Sequence, residues 1–227
     1  MWQTLMDYPK KHKCVYAVAI DNWQPELCSI TIPNLKRYAQ RIGADFKLIS
    51  QAKFDGYPPN YERLQVYELG KEYLWNIVFD ADIVLHKDFE DPTTLMDKSS
   101  AGSLWMMDAK YYFTWNKYFE RDGRNIGIAD YFVVSSWYTH DIWTPLNMDY
   151  ETAQKFCLRE PRQVSEYCLS LNIAKFGLKF NPLVKDHSKL YTIMTTTKKP
   201  KNPRELMIDK LIEWKDYEFL ESVGVKI

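Results

Sequence analysis

No stretch of this 227-residue sequence stays apolar for the ~20 residues that a membrane-spanning helix needs. Met1 to Lys13 lacks the apolar core of a signal peptide, which predicts a cytoplasmic protein. Neither sign of charge is in excess. Thirty Lys and Arg balance thirty Asp and Glu, so no global field attracts nucleic acid, and none is expected as a partner. The four cysteines, at positions 14, 28, 157 and 168, show no C-x-x-C spacing. Free thiols, buried at Cys14 and Cys168, in a reducing compartment are the expectation. No G-x-G-x-x-G follows the first apolar strand and no P-loop occurs, which disfavours a dehydrogenase-type dinucleotide fold and a P-loop nucleotidase. Repeats, low-complexity tracts and linkers are missing as well, so the length predicts one domain.

Aromatic residues, by contrast, are dense at 15%. They predict an aromatic core, with some rings left as platforms for sugar or base rings. The most informative stretch is Asn76-Ile77-Val78-Phe79-Asp80-Ala81-Asp82-Ile83-Val84-Leu85, an apolar run broken by two carboxylates. It predicts a buried parallel strand. Ligands of open α/β sheets gather at the carboxyl ends of such strands. If the run stays extended, Asp80 and Asp82 point to one side. Two hard carboxylates there suit Mg²⁺ or Mn²⁺ bound together with a substrate phosphate.

The first 85 residues alternate strand and helix. Cys14 to Ile20 predicts a strand ending at Asp21-Asn22. A helix follows to Ile42, its buried stripe Leu27, Ile30, Leu35, Tyr38 and Ile42. Pro25 opens that helix, Pro33 predicts a split within it, and Gly43 closes it. Asp45 to Ile49 reads as a second strand, Gly56 to Pro59 as a loop, and Tyr61 to Leu74 as a helix packed by Leu64, Tyr67 and Leu74. The pattern argues for a Rossmann-like α/β layer architecture, a central mostly parallel sheet flanked by helices. Farther on, a strand is expected through Tyr131 to Val134 and a helix over Arg162 to Phe176, with Pro161 at its start.

A strand ending in a polar pair, a crossover helix and a D-x-D at a later strand end resemble the nucleotide-sugar glycosyltransferases of GT-A fold. The resemblance is nearest to the glycogenin-like enzymes of family eight and spans roughly residues 14–190. It rests on Phe79-Asp80-Ala81-Asp82, on the preceding Tyr61-Glu62-Arg63-Leu64, on Arg124-Asn125-Ile126-Gly127, on Arg162-Gln163-Val164-Ser165-Glu166, and on Asp186-His187. Two departures stand out. Arg162 replaces the aspartate of that family's D-Q pair, and most of the late H-x-x-G-x-x-K-P-W pattern is missing.

The resemblance implies a metal-dependent transfer of a hexose from a nucleotide-diphosphate sugar, UDP-sugar favoured, to a hydroxyl of a glycan, protein or lipid-linked acceptor. Mn²⁺ or Mg²⁺ is the implied cofactor, held by Asp80, Asp82 and His187, with Asp80 also on the substrate side. Asp21 and Asn22 take nucleoside-contacting positions, Arg63 faces the diphosphate, and Asn125 and Gly127 lie on the donor-sugar side. Gln163 and Glu166 are the implied catalytic residues, Glu166 as the acid near the acceptor hydroxyl.

Two rivals are weighed beside it. A haloacid-dehalogenase-like phosphatase also reads apolar strand then D-x-D, with the first Asp as nucleophile. Its motif belongs near the N-terminus, and no later D-D pair follows an apolar strand here. The other rival is a non-catalytic glycan-binding protein of the same fold. Within the chain, residues 1–197 are expected to form the catalytic domain and 198–227 a basic segment with an amphipathic helix packed on it. For the basic Lys198, Lys199, Lys201 and Arg204, contact with an anionic membrane surface is the alternative.

Overall fold

The fold is described from a computed structural model over residues 8–183, 187–192 and 202–226; the side chains of Trp105, Asp130 and His187 lie outside that description. In chain order the first elements are β1 (Lys11–Val18), α1 (Pro25–Arg41), β2 (Asp45–Ile49), α2 (Val66–Leu69), β3 (Tyr73–Asp80) and β4 (Ile83–Leu85). β5 (Ser100–Asp108), α3 (Ala109–Tyr112), α4 (Lys117–Asp122), β6 (Ile126–Ser136) and α5 (Tyr150–Ala153) follow. The chain closes with α6 (Val164–Phe176), β7 (Lys179–Pro182), β8 (Leu190–Thr192), α7 (Pro203–Glu213) and α8 (Tyr217–Ser222).

Strands β2-β1-β3-β6-β5-β7 form one sheet in that order. β1 runs parallel to β2 and β3, and β5 parallel to β7, while β6 is antiparallel to both of its neighbours. β6 is thus the one reversed strand of this sheet, and the expected mostly parallel α/β layer is what the chain builds. β4 and β8 make a separate two-stranded ribbon, Ile83 opposite Thr192.

The alternation of β1 shows how two layers of helices are recruited. Cys14 and Tyr16 point to one face, where Leu64, Trp143, Cys168 and Ile173 pack. Val15 and Ala17 point to the other, against Leu35, Tyr38 and Ala39 of α1. Because both faces are covered, β1 and β3 read as near-continuous apolar runs. The ring of Phe79 on β3 stacks on Phe132 of β6, centroids 4.5 Å apart. Cys14 and Cys168 are buried free thiols, as expected.

Two expectations about helices fail for identifiable reasons. α1 runs unbroken through Pro33. Its neighbour Asn34 pairs with the backbone of β4, Nδ2 donating to the Leu85 carbonyl at 3.1 Å and Oδ1 accepting from the Leu85 amide at 2.7 Å. Ile30 and Leu35, fully buried on either side, add to this anchoring and outweigh the one backbone bond that proline removes. The helix expected over Tyr61 to Leu74 is instead a 3₁₀ stretch, Pro59–Gln65, then the single turn of α2, and Leu74 belongs to β3. Gly70 ends the helical segment, and Asn76 presses on it so closely that a Cβ there would lie 2.6 Å from Asn76 Oδ1.

The final helices pack Met207, Leu211, Phe219 and Leu220 on Leu27 and Ile30 of α1 and Val84 of β4. Arg37 clasps Asp216 with both guanidinium amines, Nη1 to Oδ1 at 2.9 Å and Nη2 to Oδ2, and lies over the Phe219 ring. Lys198, Lys199 and Lys201 lie outside the described residues. Among the described residues, no helix is long and apolar enough to cross a membrane.

Candidate functional site at the carboxyl ends of β1 and β3

β1 and β3 end side by side, Val18 opposite Asp80. Beyond β1 the chain makes a 3₁₀ turn, Ile20–Asn22, in which Asp21 (φ 52°), Asn22 (φ 58°) and then Gln24 (φ 41°) take left-handed backbone conformations. Asp and Asn tolerate that region better than other side chains, yet three such residues in four store strain of the kind found at functional sites. The turn brings Trp23, still 37% exposed, to the rim of a cleft of about 280 Å³.

Val18, Ile20 and Trp23 form the apolar wall of this cleft. Asn60, Arg63, Asp80, Asp82, Tyr131 and Glu166 form the polar one. The two aspartates do not share a strand face, as an extended run would have required. β3 stops at Asp80, and Ala81-Asp82 form a turn before β4. The turn nonetheless brings both carboxylates to the same cleft. Thr192, opposite Ile83 in the β4–β8 ribbon, donates its hydroxyl to Asp82 Oδ2 at 3.1 Å.

Arg63 is buried in the 3₁₀ stretch before β3. Its side chain is 1% exposed, with Nη2 on Asp80 Oδ1 at 2.7 Å and Nε on the Asn60 carbonyl at 2.8 Å. The neighbouring Glu62 is equally buried and holds the preceding loop. It accepts from the amides of Lys53 (2.9 Å) and Phe54 (3.0 Å) and from Gln65 Nε2 (2.7 Å). With each carboxylate oxygen hydrogen-bonded, a buried charge there is tolerable. Glu166, near the start of α6, lines the same cleft. Its charge also reaches Cys157, whose thiol is pushed up to about 12 by burial first and by Glu166 second.

Of the residues singled out in the sequence, the fold brings Arg63, Asp80, Asp82 and Glu166 together. Asp21 and Asn22 are exposed in the rim turn and do not line the cleft. Asn125 and Gly127 do not line it either, and local structure accounts for both. Asn125, left-handed at φ 51°, accepts from the Lys110 amide at 2.9 Å and shapes the turn into β6. Gly127 lets β5 approach, since a Cβ would lie 2.5 Å from Met107 Cγ and 2.9 Å from the Met107 carbonyl. Gln163 ends the turn Pro161–Gln163 outside the lining, and its shielded Oε1 has no hydrogen-bond partner among the described residues. The His187 side chain lies outside the description.

Trp23, Asn60 and Tyr131 were missed. Trp23 follows the Asp21-Asn22 pair directly, and Asn60 is the one polar residue between Pro59 and Tyr61. Those positions were the available signals. Tyr131 had none, because only the antiparallel insertion of β6 beside β3 carries it to the cleft.

Among the described residues, no three His, Cys, Asp or Glu side chains converge as a closed metal cage. An octahedral cation that takes one or two carboxylates from protein and the rest from substrate phosphate and water does not need one. The donor chemistry of Asp80 and Asp82 therefore fits Mg²⁺ or Mn²⁺.

No protein-family model matches this chain, and no curated protein matches it. Solved structures do. A glycosyltransferase involved in the glycosylation of the major capsid of PBCV-1 superposes with a TM-score of 0.50 at 9% identity, over 90% of this chain and 99% of that one. The chain has a GT-A fold. Two other GT-A structures superpose less closely. One is the galactosyltransferase LgtC with donor and acceptor sugar analogs, at TM-score 0.43, 16% identity, 74% of this chain and 72% of that one. The other is a Drosophila β1,4-galactosyltransferase 7 with manganese, UDP-Gal and xylobiose, at TM-score 0.45, 12% identity, 86% and 79%. The GT-A assignment rests on the first, together with the sheet order described above.

Proposed function

We propose that this protein is a divalent-metal-dependent glycosyltransferase that moves a hexose from a nucleotide-diphosphate sugar, UDP-sugar favoured, to an acceptor hydroxyl. We place it nearest the glycogenin-like enzymes on its D-x-D and flanks. One observation carries the reading: Asp80, braced by a buried Arg63, shares a cleft with Asp82 at the carboxyl end of the central strands. That is where a GT-A fold offers its donor site.

In this reading Asp80 and Asp82 hold Mn²⁺ or Mg²⁺, which when bound neutralises the charge that develops on the departing nucleoside diphosphate. The chain's own residues do the rest. Arg63 fixes the Asp80 carboxylate and adds a second positive charge beneath the diphosphate. Trp23 and Ile20 offer an apolar wall to the nucleoside, near the rim turn of Asp21 and Asn22. Glu166, in the same cleft, positions the acceptor hydroxyl or receives its proton on a carboxylate oxygen. The acceptor is a glycan, a protein or a lipid-linked sugar.

The phosphatase rival is disfavoured, because the D-x-D begins at the end of β3, the third strand in chain order, rather than at the end of the first. The braced Asp80 beside Asp82 argues against a glycan-binding protein without chemistry. Hydrolysis or transfer assays with UDP-hexoses and Mn²⁺ test the proposal. Asp80→Asn and Asp82→Asn should each lose activity on the order of 100-fold while remaining folded. Unchanged turnover in both variants would remove the metal site from the mechanism.

A further inference from the structure

Four residues of the polar wall, Asp80, Arg63, Asn60 and Glu166, belong to one hydrogen-bonded chain, and Asn60 is its middle. On the donor side, Arg63 Nη2 donates to Asp80 Oδ1 at 2.7 Å and Arg63 Nε to the Asn60 carbonyl at 2.8 Å. On the acceptor side, Asn60 Nδ2 donates to Ser165 Oγ at 3.2 Å, and Ser165 Oγ donates to Glu166 Oε2 at 3.1 Å. The roles are mutually consistent, since a hydroxyl can accept from an amide while giving its own proton to a carboxylate. Asn60 Nδ2 also donates to the Arg162 carbonyl at 3.1 Å, tying the residue to the turn Pro161–Gln163 before α6.

The Arg63 and Ser165 side chains in this network are buried, while Asn60, Asp80 and Glu166 are partly exposed, so its links are partly shielded from water. Polar networks of that kind hold their members in one arrangement. The 3₁₀ stretch Pro59–Gln65 is what makes the geometry possible. It turns the Asn60 carbonyl back on Arg63 and leaves the Asn60 side chain facing α6. Two carboxylates from distant parts of the sequence, Asp80 and Glu166, are thereby linked through Asn60.

Resting on the proposed glycosyl transfer, we infer that Asn60 is a positioning residue that couples the donor side of the cleft to its acceptor side, the carbonyl serving Asp80 through Arg63 and the amide serving Glu166 through Ser165. The two halves are separable by mutation. Asn60→Ala removes the amide and keeps the carbonyl, so it cuts the link to Ser165 and spares the link to Arg63. Ser165→Ala cuts the same acceptor half one step farther on.

The test has a spectroscopic arm and a kinetic arm. In the ¹H–¹⁵N spectrum of the whole chain, the Asn60 side-chain amide should move in Ser165→Ala and in Glu166→Gln. If it is indifferent to both, the chain does not exist and the inference is overturned, whatever the protein's activity. In Mn²⁺-dependent transfer, Asn60→Ala should lower kcat about tenfold and raise the acceptor KM, with donor KM and Mn²⁺ affinity kept within about twofold. The double variant Asn60→Ala/Ser165→Ala should lose no more than either single one, because both act through one link. Additive losses, or donor KM and Mn²⁺ affinity collapsing together with kcat, would leave only a structural role. A wild-type protein with an intact spectroscopic coupling but no Mn²⁺ binding and no cleavage of any nucleotide-sugar would defeat the proposed function instead.

Discussion

Arg63 holds Asp80 from below: its guanidinium is 1% exposed, while the carboxylate it grips keeps 25% of its side-chain surface open to the cleft. The asymmetry orients Asp80 toward a ligand. A charge that sits wholly inside the protein binds one that is partly outside, so the open oxygen edge of Asp80 is presented to the cleft at low conformational cost. Removing Arg63 leaves a half-buried carboxylate with one fewer partner and the Asn60 carbonyl without the Arg63 Nε donor. Arg63→Ala should therefore cost about 2–4 kcal/mol of stability, discounted from the full buried-pair value because Asp80 is partly solvated. Chemical denaturation measures this directly. Arg63→Lys should recover only part of the loss, since one ammonium cannot reproduce a two-armed contact.

Gly127 separates packing from binding. A methyl group there meets the Met107 side chain and backbone. Gly127→Ala should destabilise the protein by about 1–3 kcal/mol and leave donor affinity unchanged. Calorimetric titration of the donor on this variant decides between the two roles, and a selective loss of donor affinity would place Gly127 at the donor site.

Much of the fold was legible because it rests on period and burial. The runs Cys14 to Val18 and Ile77 to Phe79 are apolar on both faces, and only a covered, mostly parallel sheet accommodates that. The stripe Leu27, Ile30, Leu35 and Tyr38 gave α1 correctly, but the tolerance of Pro33 depends on Asn34 pairing with Leu85, fifty-one residues away. The ending of the helical segment at Gly70 likewise depends on Asn76. The site was legible where it is local. Asp80, Asp82 and Arg63 stand at the end of one strand and in the helical stretch before it. Tyr131 and the chain through Asn60 and Ser165 were not legible, because they arise from where β6 and α6 pack rather than from any spacing. Asn125 and Gly127 show the converse: residues of a matching motif that do not line the cleft and have turn and packing roles.

His140 predicts a pH dependence. Its Nε2 lies 2.8 Å from the Tyr67 carbonyl, its ring stacks on Tyr67, and its shielded Nδ1 has no hydrogen-bond partner among the described residues. Burial, above the smaller effects of nearby charges, lowers its pKa below the usual 6.5. Between that lowered value and 6.5 the unfolded chain binds more protons than the folded one, so stability falls as the pH drops through this window. Urea midpoints at about pH 7.5 and about pH 5.5 should show the decline, with a shallower slope in His140→Gln. Equal slopes in both proteins would assign the acid sensitivity elsewhere.

The C-terminal helices bear on the membrane alternative. Met207 and Leu211 of α7 are fully buried against α1, which leaves no apolar face for a bilayer at those positions. Leu211→Ala should cost about 2–5 kcal/mol, as for any core leucine. Anionic vesicles at physiological salt should leave the wild-type protein in the supernatant. Co-sedimentation under those conditions would revive membrane contact through the basic segment before α7.

The central claim is that Asp80 and Asp82 bind a nucleotide-diphosphate sugar together with a divalent cation. Thermal unfolding with a panel of nucleotide-sugars, each with and without Mn²⁺, tests it most directly. A ligand at about 100 times its Kd stabilises the folded state by about 2.7 kcal/mol, a shift readily seen in Tm. The account predicts that a UDP-sugar with Mn²⁺ raises Tm well beyond either alone, and that Asp82→Asn abolishes the joint effect. No shift with any nucleotide-sugar in the presence of Mn²⁺, or an undiminished shift in Asp82→Asn, would contradict it.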